Sequence, residues 1–444
     1  MKRIKRWTLL WSLMVLLLVG MTGCGQRDVA DTQVTGAPET VRETDAPEVT
    51  EAPTPEPTAT PEPTATLEPT PEPLGVPYVE PAPTDFYTEG VMRPDMTAKD
   101  FVAQMGVGIN LGNTFEAYWE DTNKEFTGAQ TIGANQPGNY ETCWGAVITT
   151  QEAIDGMKAA GFNTVRIPVY WGNMMANDGS FVIDTKYLQR VEEVVNYCLK
   201  NELYVVINIH HYDEFLIENF TEEEVVEIVN VLWSQIAQYF QNYSDYVIFE
   251  GFNEALGNIK HMEYYTDRQK YLYVNRMNQT FVDAVRATGG NNESRMLIAS
   301  GFWTNIDYTT KEAFVVPTDI VSDRIMVSVH YVDNSMYWSN RIGSQAWWDY
   351  SVAQCDLLKT AFTDKGYEVF VGECTAIYPE SNFAGDAVYT GSVNCLEMML
   401  NLITDYGFVP VLWDVNDNFY DRVGNKIKSD ENAKVIRNIS DKIN

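Results

Sequence analysis

Residues 187–211 read YLQRVEEVVNYCLKNELYVVINIHH, and two structural periods stand side by side in them. In the first half Leu188, Val191, Val195 and Cys198 recur at spacings of three and four, which places them on one face of a helix. In the second half, Leu203–His210, apolar and β-branched residues follow one another almost without a break. A strand that is apolar on both faces is covered on both, as in a parallel sheet flanked by helices. A helix running into such a strand is one unit of an α/β alternation.

The unit repeats. Similar runs occur at Met105–Asn110, Asn163–Pro168, Tyr246–Glu250, Arg295–Ser300, Arg324–His330, Glu368–Glu373 and Phe408–Trp413, which makes eight with Leu203–His210. Helical patterns separate most of them: Gln151–Ala160, Tyr187–Lys200, Gln269–Ala287, Gln345–Phe362 and Val393–Tyr406, with Glu431–Ile443 at the end. Thr221–Phe240 is another, and Thr221 with Glu224 forms a capping box at its start. Between 304 and 320 only a short helix fits. Eight such units predict a (β/α)8 TIM barrel, with its excess length in loops after strands, notably 111–148. A doubly wound open sheet is the alternative, but no Gly-x-Gly-x-x-Gly follows the first strand to support its common nucleotide use.

Upstream the chain changes character. Lys2, Arg3, Lys5 and Arg6 precede an apolar run from Trp7 to Gly20, as in an export signal. Met21-Thr-Gly-Cys24 resembles a bacterial lipobox, which implies a lipid on Cys24. Thirteen of the 19 prolines then lie between Pro38 and Pro83, and residues 27–85 hold 13 acids against 2 bases. Such a segment has little to bury and is expected to stay disordered, as a semi-stiff polyproline spacer. The expected organisation is a lipoprotein signal over 1–24, a Pro/Thr/Glu-rich linker over 25–88 and one catalytic domain over 89–444. The expected location is extracytoplasmic, anchored to a bacterial membrane, or secreted if Cys24 carries no lipid.

Charge narrows the partners. Lys+Arg is 31 and Asp+Glu is 62, a net of −31, which excludes nucleic acid as an expected partner and disfavours anionic substrates. A neutral ligand fits better, and 11 Trp, 25 Tyr and 19 Phe supply flat faces for a sugar. Cys143, Cys198, Cys355, Cys374 and Cys395 show no metal-ligand spacing. Cys198 and Cys395 fall in helical patterns, so buried thiols are expected, with one disulfide left open.

In a barrel of this kind the reacting groups sit at the carboxyl ends of strands. Here those ends carry Arg166, His210-His211, Asn253-Glu254, His330, Glu373 and Trp413-Asp414. Two carboxylates from the fourth and seventh strands suit glycosidic cleavage, in which one gives a proton to the leaving oxygen and the other attacks the anomeric carbon. Glu254 and Glu373 are therefore the candidate catalytic pair.

With these residues the chain resembles glycoside hydrolase family 5, the cellulase family, in its endoglucanase and xyloglucanase branch. The matching segments are Gly106-Val-Gly-Ile-Asn-Leu-Gly-Asn-Thr-Phe-Glu116, Glu141-Thr-Cys-Trp-Gly145 and Gly161-Phe-Asn-Thr-Val-Arg-Ile-Pro-Val-Tyr-Trp-Gly172, followed by the strand ends. The resemblance implies that Glu254 is the acid/base and Glu373 the nucleophile of a retaining endo-β-1,4-glucanase. It also implies that Asn253 holds the sugar 2-hydroxyl and that Arg166 pairs with Glu373. His210 and His330 would bind sugar hydroxyls, and Trp413 would floor the −1 subsite. His211, Asn113 and Trp144 are further substrate-binding candidates, and Glu116 shares the loop of Asn113. Trp303 is a candidate platform after the fifth strand. The family uses no cofactor and no metal, so none is expected, although His210, His211 and His330 come from strands that could share an ion. The expected partner is a neutral β-linked polysaccharide, met by a monomer. Xyloglucan, mixed-linkage glucan and mannan stay open beside cellulose.

Two positions depart from the family. It has His-x-Tyr after the sixth strand, with the Tyr hydroxyl on the nucleophile, whereas this chain reads His330-Tyr331-Val332. In an extended chain Tyr331 points to the other face, unless a kink turns it or Tyr337 replaces it. Without that hydroxyl the protein would be a weakened enzyme that mainly binds glycans. Cys374 stands where the family often has Phe.

Overall fold

Eight parallel strands close on themselves in sequence order in the computed structural model, which describes residues 91–443 apart from 258–264 and 381–384. They are β1 (Gly108–Asn110), β2 (Thr164–Ile167), β3 (Tyr204–Asn208), β4 (Val247–Glu250), β5 (Leu297–Ser300), β6 (Ile325–His330), β7 (Glu368–Thr375) and β8 (Val409–Trp413). Each lies inside or close to the run expected for it. The β1–β8 pairing at Gly108↔Val411 closes a barrel, and the open sheet is excluded. The signal, Cys24 and the linker lie outside the described residues.

The helices follow the predicted patterns within one or two residues, and Gln151–Ala160 is reproduced at both ends. Thr221 and Glu224 do form the capping box that opens Glu222–Tyr239. In Thr185–Leu199 the stripe Leu188, Val191, Val195 and Cys198 is buried against the strands. The crossover after β5 holds a short 3-10 turn, Phe302–Thr304, and the four-residue helix Ile306–Thr309. One strand bound needs correction: Met105 ends a helix, Ala98–Met105, rather than starting β1. Thr97 and Asp100 box its amino end, and Gly106 at φ +52 turns the chain into β1. A second unforeseen helix, Tyr212–Asn219, follows β3.

Two apolar layers hold the barrel. The larger lies between strands and helices, and the smaller fills the barrel with Val206, Ile248, Ile298, Met326, Phe370 and Val411. Phe101 and Met105 of helix Ala98–Met105 join the inner layer. Burying a side chain like Phe101 stabilises by roughly 1.5–3 kcal/mol. The helix is strapped at the strand starts. Arg93 clasps Asp245 with bonds of 2.9 and 3.1 Å and reaches the Tyr204 hydroxyl at 2.9 Å. Arg324 donates to the carbonyls of Pro94 and Met96. The amino-terminal end of the barrel is thereby closed, and the polar strand ends gather at the other.

All five cysteines among the described residues are free thiols. Cys198, Cys355, Cys374 and Cys395 are buried, and Cys143 is half-buried.

Candidate active site

Arg166 leaves the end of β2 into the barrel mouth with no exposed surface. Its Nε donates to Glu250 Oε2 at 2.6 Å, Nη1 to Asn110 Oδ1 at 3.0 Å and to Glu373 Oε1 at 3.3 Å, and Nη2 to Asn253 Oδ1 at 2.8 Å. A buried guanidinium needs such partners, because an unpaired charge in a low-dielectric interior is costly. The expected Arg166–Glu373 pair is present, but a closer carboxylate, Glu250, shares the guanidinium. Because the Asn253 oxygen accepts from Arg166, its Nδ2 is left to donate into the cleft.

Glu373 reaches the mouth through a bulge. Val329 pairs with Val371 and His330 with Glu373, so Gly372 is an extra residue in β7. The in-and-out alternation shifts there by one: Phe370 belongs to the inner layer and Cys374 to the outer. Bulges beside active sites re-aim side chains in this way. Cys374 therefore packs behind the sheet and does not face the substrate side.

The break in the His-x-Tyr pattern is repaired by backbone geometry. Tyr331 stands at φ +48, in the left-handed region, and the turn brings its hydroxyl to Glu373 Oε2 at 2.9 Å. Its N–H also donates to the Glu373 carbonyl at 2.8 Å. Val332 is buried in the core and Tyr337 is largely exposed. The kink, not Tyr337, supplies the hydroxyl.

Glu254 follows β4 and keeps a quarter of its side chain exposed. His330 Nδ1 lies 3.1 Å from Glu254 Oε1 and 3.7 Å from Glu373 Oε2. One oxygen of each carboxylate and the His330 nitrogen all fall within 4.8 Å of one another. That spacing also suits a cation, but Arg166 already holds one Glu373 oxygen and Tyr331 the other, and the guanidinium charge opposes a metal there. Burial pushes the Glu254 carboxyl up. The His330 imidazole, with His211 and Arg166, outweighs burial and holds it below the usual range.

His210 is buried and lies flat on Trp413, with ring centroids 5.8 Å apart and planes 9° apart. Burial, reinforced by His211, Arg166 and His330, pushes its pKa far down, so it is a neutral imidazole. His211 turns away at φ +60 toward Glu214, 3.8 Å from its Nδ1. Burial works against its charge, but Glu214, then Glu116 and Asp213, raise its pKa. It packs against both Tyr118 and Trp144, each 6.2 Å away, and Tyr118 stacks on Tyr170 at 4.0 Å. Trp144 is fixed by its Nε1 bond to the Tyr118 carbonyl at 2.8 Å. These rings form an aromatic wall on the β1 and β3 side. Asn113 and Glu116 organise the loop below it, since the buried Glu116 carboxylate accepts the N–H groups of Asn113 and Thr114. On the opposite side Trp303, at φ +54, lines an open cleft with Glu254, His330, Tyr331 and Asn334.

The arrangement is two carboxylates in a cleft walled by aromatic rings. The model of the family "cellulase (glycosyl hydrolase family 5)" matches residues 121–419. The chain belongs to glycosyl hydrolase family 5.

Similar proteins cover most of this chain. Endoglucanase 1 of Ruminococcus albus is 33% identical over 335 residues, which are 74% of this chain and 75% of the relative. A broad-specificity family 5 endoglucanase from Ruminococcus champanellensis, solved with cellotriose, superposes with a TM-score of 0.65 at 28% identity, covering 78% of this chain and 99% of the other. A Bacteroides ovatus family 5 xyloglucanase holding a XXXG heptasaccharide gives 0.66 at 26% identity, with 82% and 81% covered. As a family 5 member the chain is a glycosidase that acts on O-glycosyl bonds.

Sequence reasoning missed Glu250, Asn110, Asn208 and Ser328, which lie inside strands below the mouth. A signal existed for Glu250: it is a lone carboxylate in the apolar run Tyr246–Glu250, and such a charge requires a buried partner.

Proposed function

We propose that the protein is a retaining endo-β-1,4-glucanase in which Glu254 is the acid/base and Glu373 the nucleophile. One observation carries the reading: an oxygen of each carboxylate lies within 4.8 Å of the other. Retaining enzymes place the pair about 5–5.5 Å apart, and inverting ones about 6.5–9.5 Å, leaving room for a water.

In the first step a Glu373 oxygen attacks C1 of the sugar, the glycosidic C–O bond breaks, and Glu254 gives its proton to the leaving oxygen. In the second, water loses a proton to Glu254 and attacks C1, which frees Glu373. A sugar in the cleft deepens the burial of Glu254, and burial favours its protonated form. The proton is then delivered from the Glu254 carboxyl. Arg166 and Tyr331 each bond one Glu373 oxygen and aim the carboxylate. Asn253 Nδ2 donates to the 2-hydroxyl, and Trp413 and the neutral His210 bind the sugar beside it. Aromatic faces on both sides of the carboxylates suit a chain that passes through, hence internal cleavage.

A xyloglucan preference is the second reading, because a structural neighbour holds a xyloglucan heptasaccharide. The glycan-binding alternative rested on a missing hydroxyl that Tyr331 provides. The lipobox-like Met21–Cys24 and the Pro-rich segment support display from a bacterial membrane through Cys24. Release of a Cys24→Ser variant from membranes tests that part, and its retention there overturns it. Activity is tested by incubating the protein with carboxymethylcellulose, xyloglucan, mixed-linkage glucan and mannan and assaying new reducing ends. Cleavage of the glucans is expected, and silence on all four with the fold intact rejects the reading.

A further inference from the structure

Below the catalytic pair lies a third carboxylate that no step above employs. Glu250 is wholly buried at the end of β4. Its Oε2 accepts from Arg166 Nε at 2.6 Å and Asn208 Nδ2 at 3.1 Å, and its Oε1 from Ser328 Oγ at 2.7 Å. Three strands thus donate to it. A fourth makes room: a Cβ on Gly372 of β7 would sit 3.1 Å from Ser328 Oγ and 3.3 Å from Glu250 Oε1. The residue before the nucleophile is a glycine where a side chain would press on this carboxylate.

The distances divide Arg166 unequally. Its ionic bond to Glu250 is 2.6 Å and that to Glu373 is 3.3 Å. Burial disfavours the guanidinium charge, and of the two carboxylates that offset this Glu250 weighs more. Glu373 also faces His330 at the end of β6, Tyr331 just after it and Glu254 from the loop after β4. Around Glu250 stand Arg166, Asn208 and Ser328, with His210 3.5 Å from the Asn208 amide. An arginine held closely to Glu373 alone would draw electron density from the oxygen that must attack C1.

We propose that Glu250 is a positioning residue for the reaction: it takes the larger share of Arg166 and leaves Glu373 a carboxylate free enough to attack. The inference rests on Glu373 being the nucleophile. Replacing Glu250 by Gln keeps the shape and removes the charge. Arg166 then acts in full on Glu373, and the repulsion between the two carboxylates disappears. Both changes favour the ionised Glu373, so it titrates at lower pH and attacks more slowly.

The test is inactivation of the full chain by 2,4-dinitrophenyl 2-deoxy-2-fluoro-β-cellobioside. Glu373 attacks C1 and dinitrophenolate departs with the bonding electron pair, needing no proton, so the rate follows the ionisation of Glu373 and not of Glu254. Label found by peptide mass spectrometry on a residue other than Glu373 defeats the nucleophile assignment itself. With label on Glu373, Glu250→Gln is expected to move the acidic limb of the inactivation rate down by about one pH unit and lower its plateau. Glu250→Asp, which restores the charge, is expected to return the limb toward the parent position even if the melting temperature falls. An unmoved limb in Glu250→Gln overturns the proposal and leaves Glu250 a structural group. Should that variant not fold, Ser328→Ala is read in the same assay. It removes only the hydroxyl that shares the Glu250 charge, so Glu250 draws harder on Arg166 and the limb moves up. A limb that stays in place there is equally fatal.

Discussion

The Tyr331 hydroxyl lies 2.9 Å from Glu373 Oε2, although the side chain sits one residue, not two, beyond His330. A left-handed turn at φ +48 makes up the missing residue.

Removing that hydroxyl in Tyr331→Phe deletes a bond to a charged acceptor, worth about 1.5–3 kcal/mol. The expected loss in kcat/KM on glucans is roughly 10- to 100-fold, with the melting temperature nearly unchanged. Loss below threefold contradicts the role. Val332→Tyr, which restores the family pattern on paper, places a large ring at a site only 2% exposed. It should destabilise by about 1–3 kcal/mol and gain no activity; thermal melts beside a reducing-end assay decide this.

Glu373→Gln should abolish turnover of every glucan. Glu254→Ala should spare an aryl cellobioside whose leaving group needs no acid, while losing carboxymethylcellulose hydrolysis. Equal losses of Glu254→Ala on both substrates would reverse the role assignment.

His330 lies against Glu254 and holds its carboxyl down, while burial acts in the other direction. His330→Gln removes the lowering partner and leaves burial, so Glu254 must titrate at higher pH. Since the protonated form gives the proton, the basic limb of kcat/KM on an unactivated substrate should move to higher pH. Movement to lower pH would show that His330 does not govern Glu254.

Asp213, in helix Tyr212–Asn219, is 1% exposed, and neither carboxyl oxygen finds a hydrogen-bond partner. Burial, with Glu214 adding to it, pushes its pKa up to about 8. An unfolded Asp ionises near ~3.9. The folded state therefore binds the extra proton between these values, and stability falls as pH rises through that window. Asp213→Asn should raise the melting temperature more at pH 8 than at pH 4. An equal shift at both values would show that Asp213 does not titrate on unfolding.

The barrel was legible because its signal is repeated. Eight apolar runs and the helices between them constrain one another, and Leu188, Val191, Val195 and Cys198 give the helical period outright. Glu254 and Glu373 were legible because carboxylates at strand ends are rare and costly. Tyr331 was not, since its position depends on one backbone dihedral that a two-residue alternation cannot express. The bulge at Gly372 escaped for the same reason. Helix Ala98–Met105 was hidden because the apolar run Met105–Asn110 overlaps its last turn, although Thr97 and Asp100 already marked its start.

The strap formed by Arg93, Asp245 and Arg324 has a modular consequence. The chain enters the barrel at the strand starts, the end remote from Glu254 and Glu373. The residues that fasten it there are separate from the carboxylates and from the aromatic walls of the groove. The means by which the barrel is closed and the means by which it cuts a glycan are free to be selected separately.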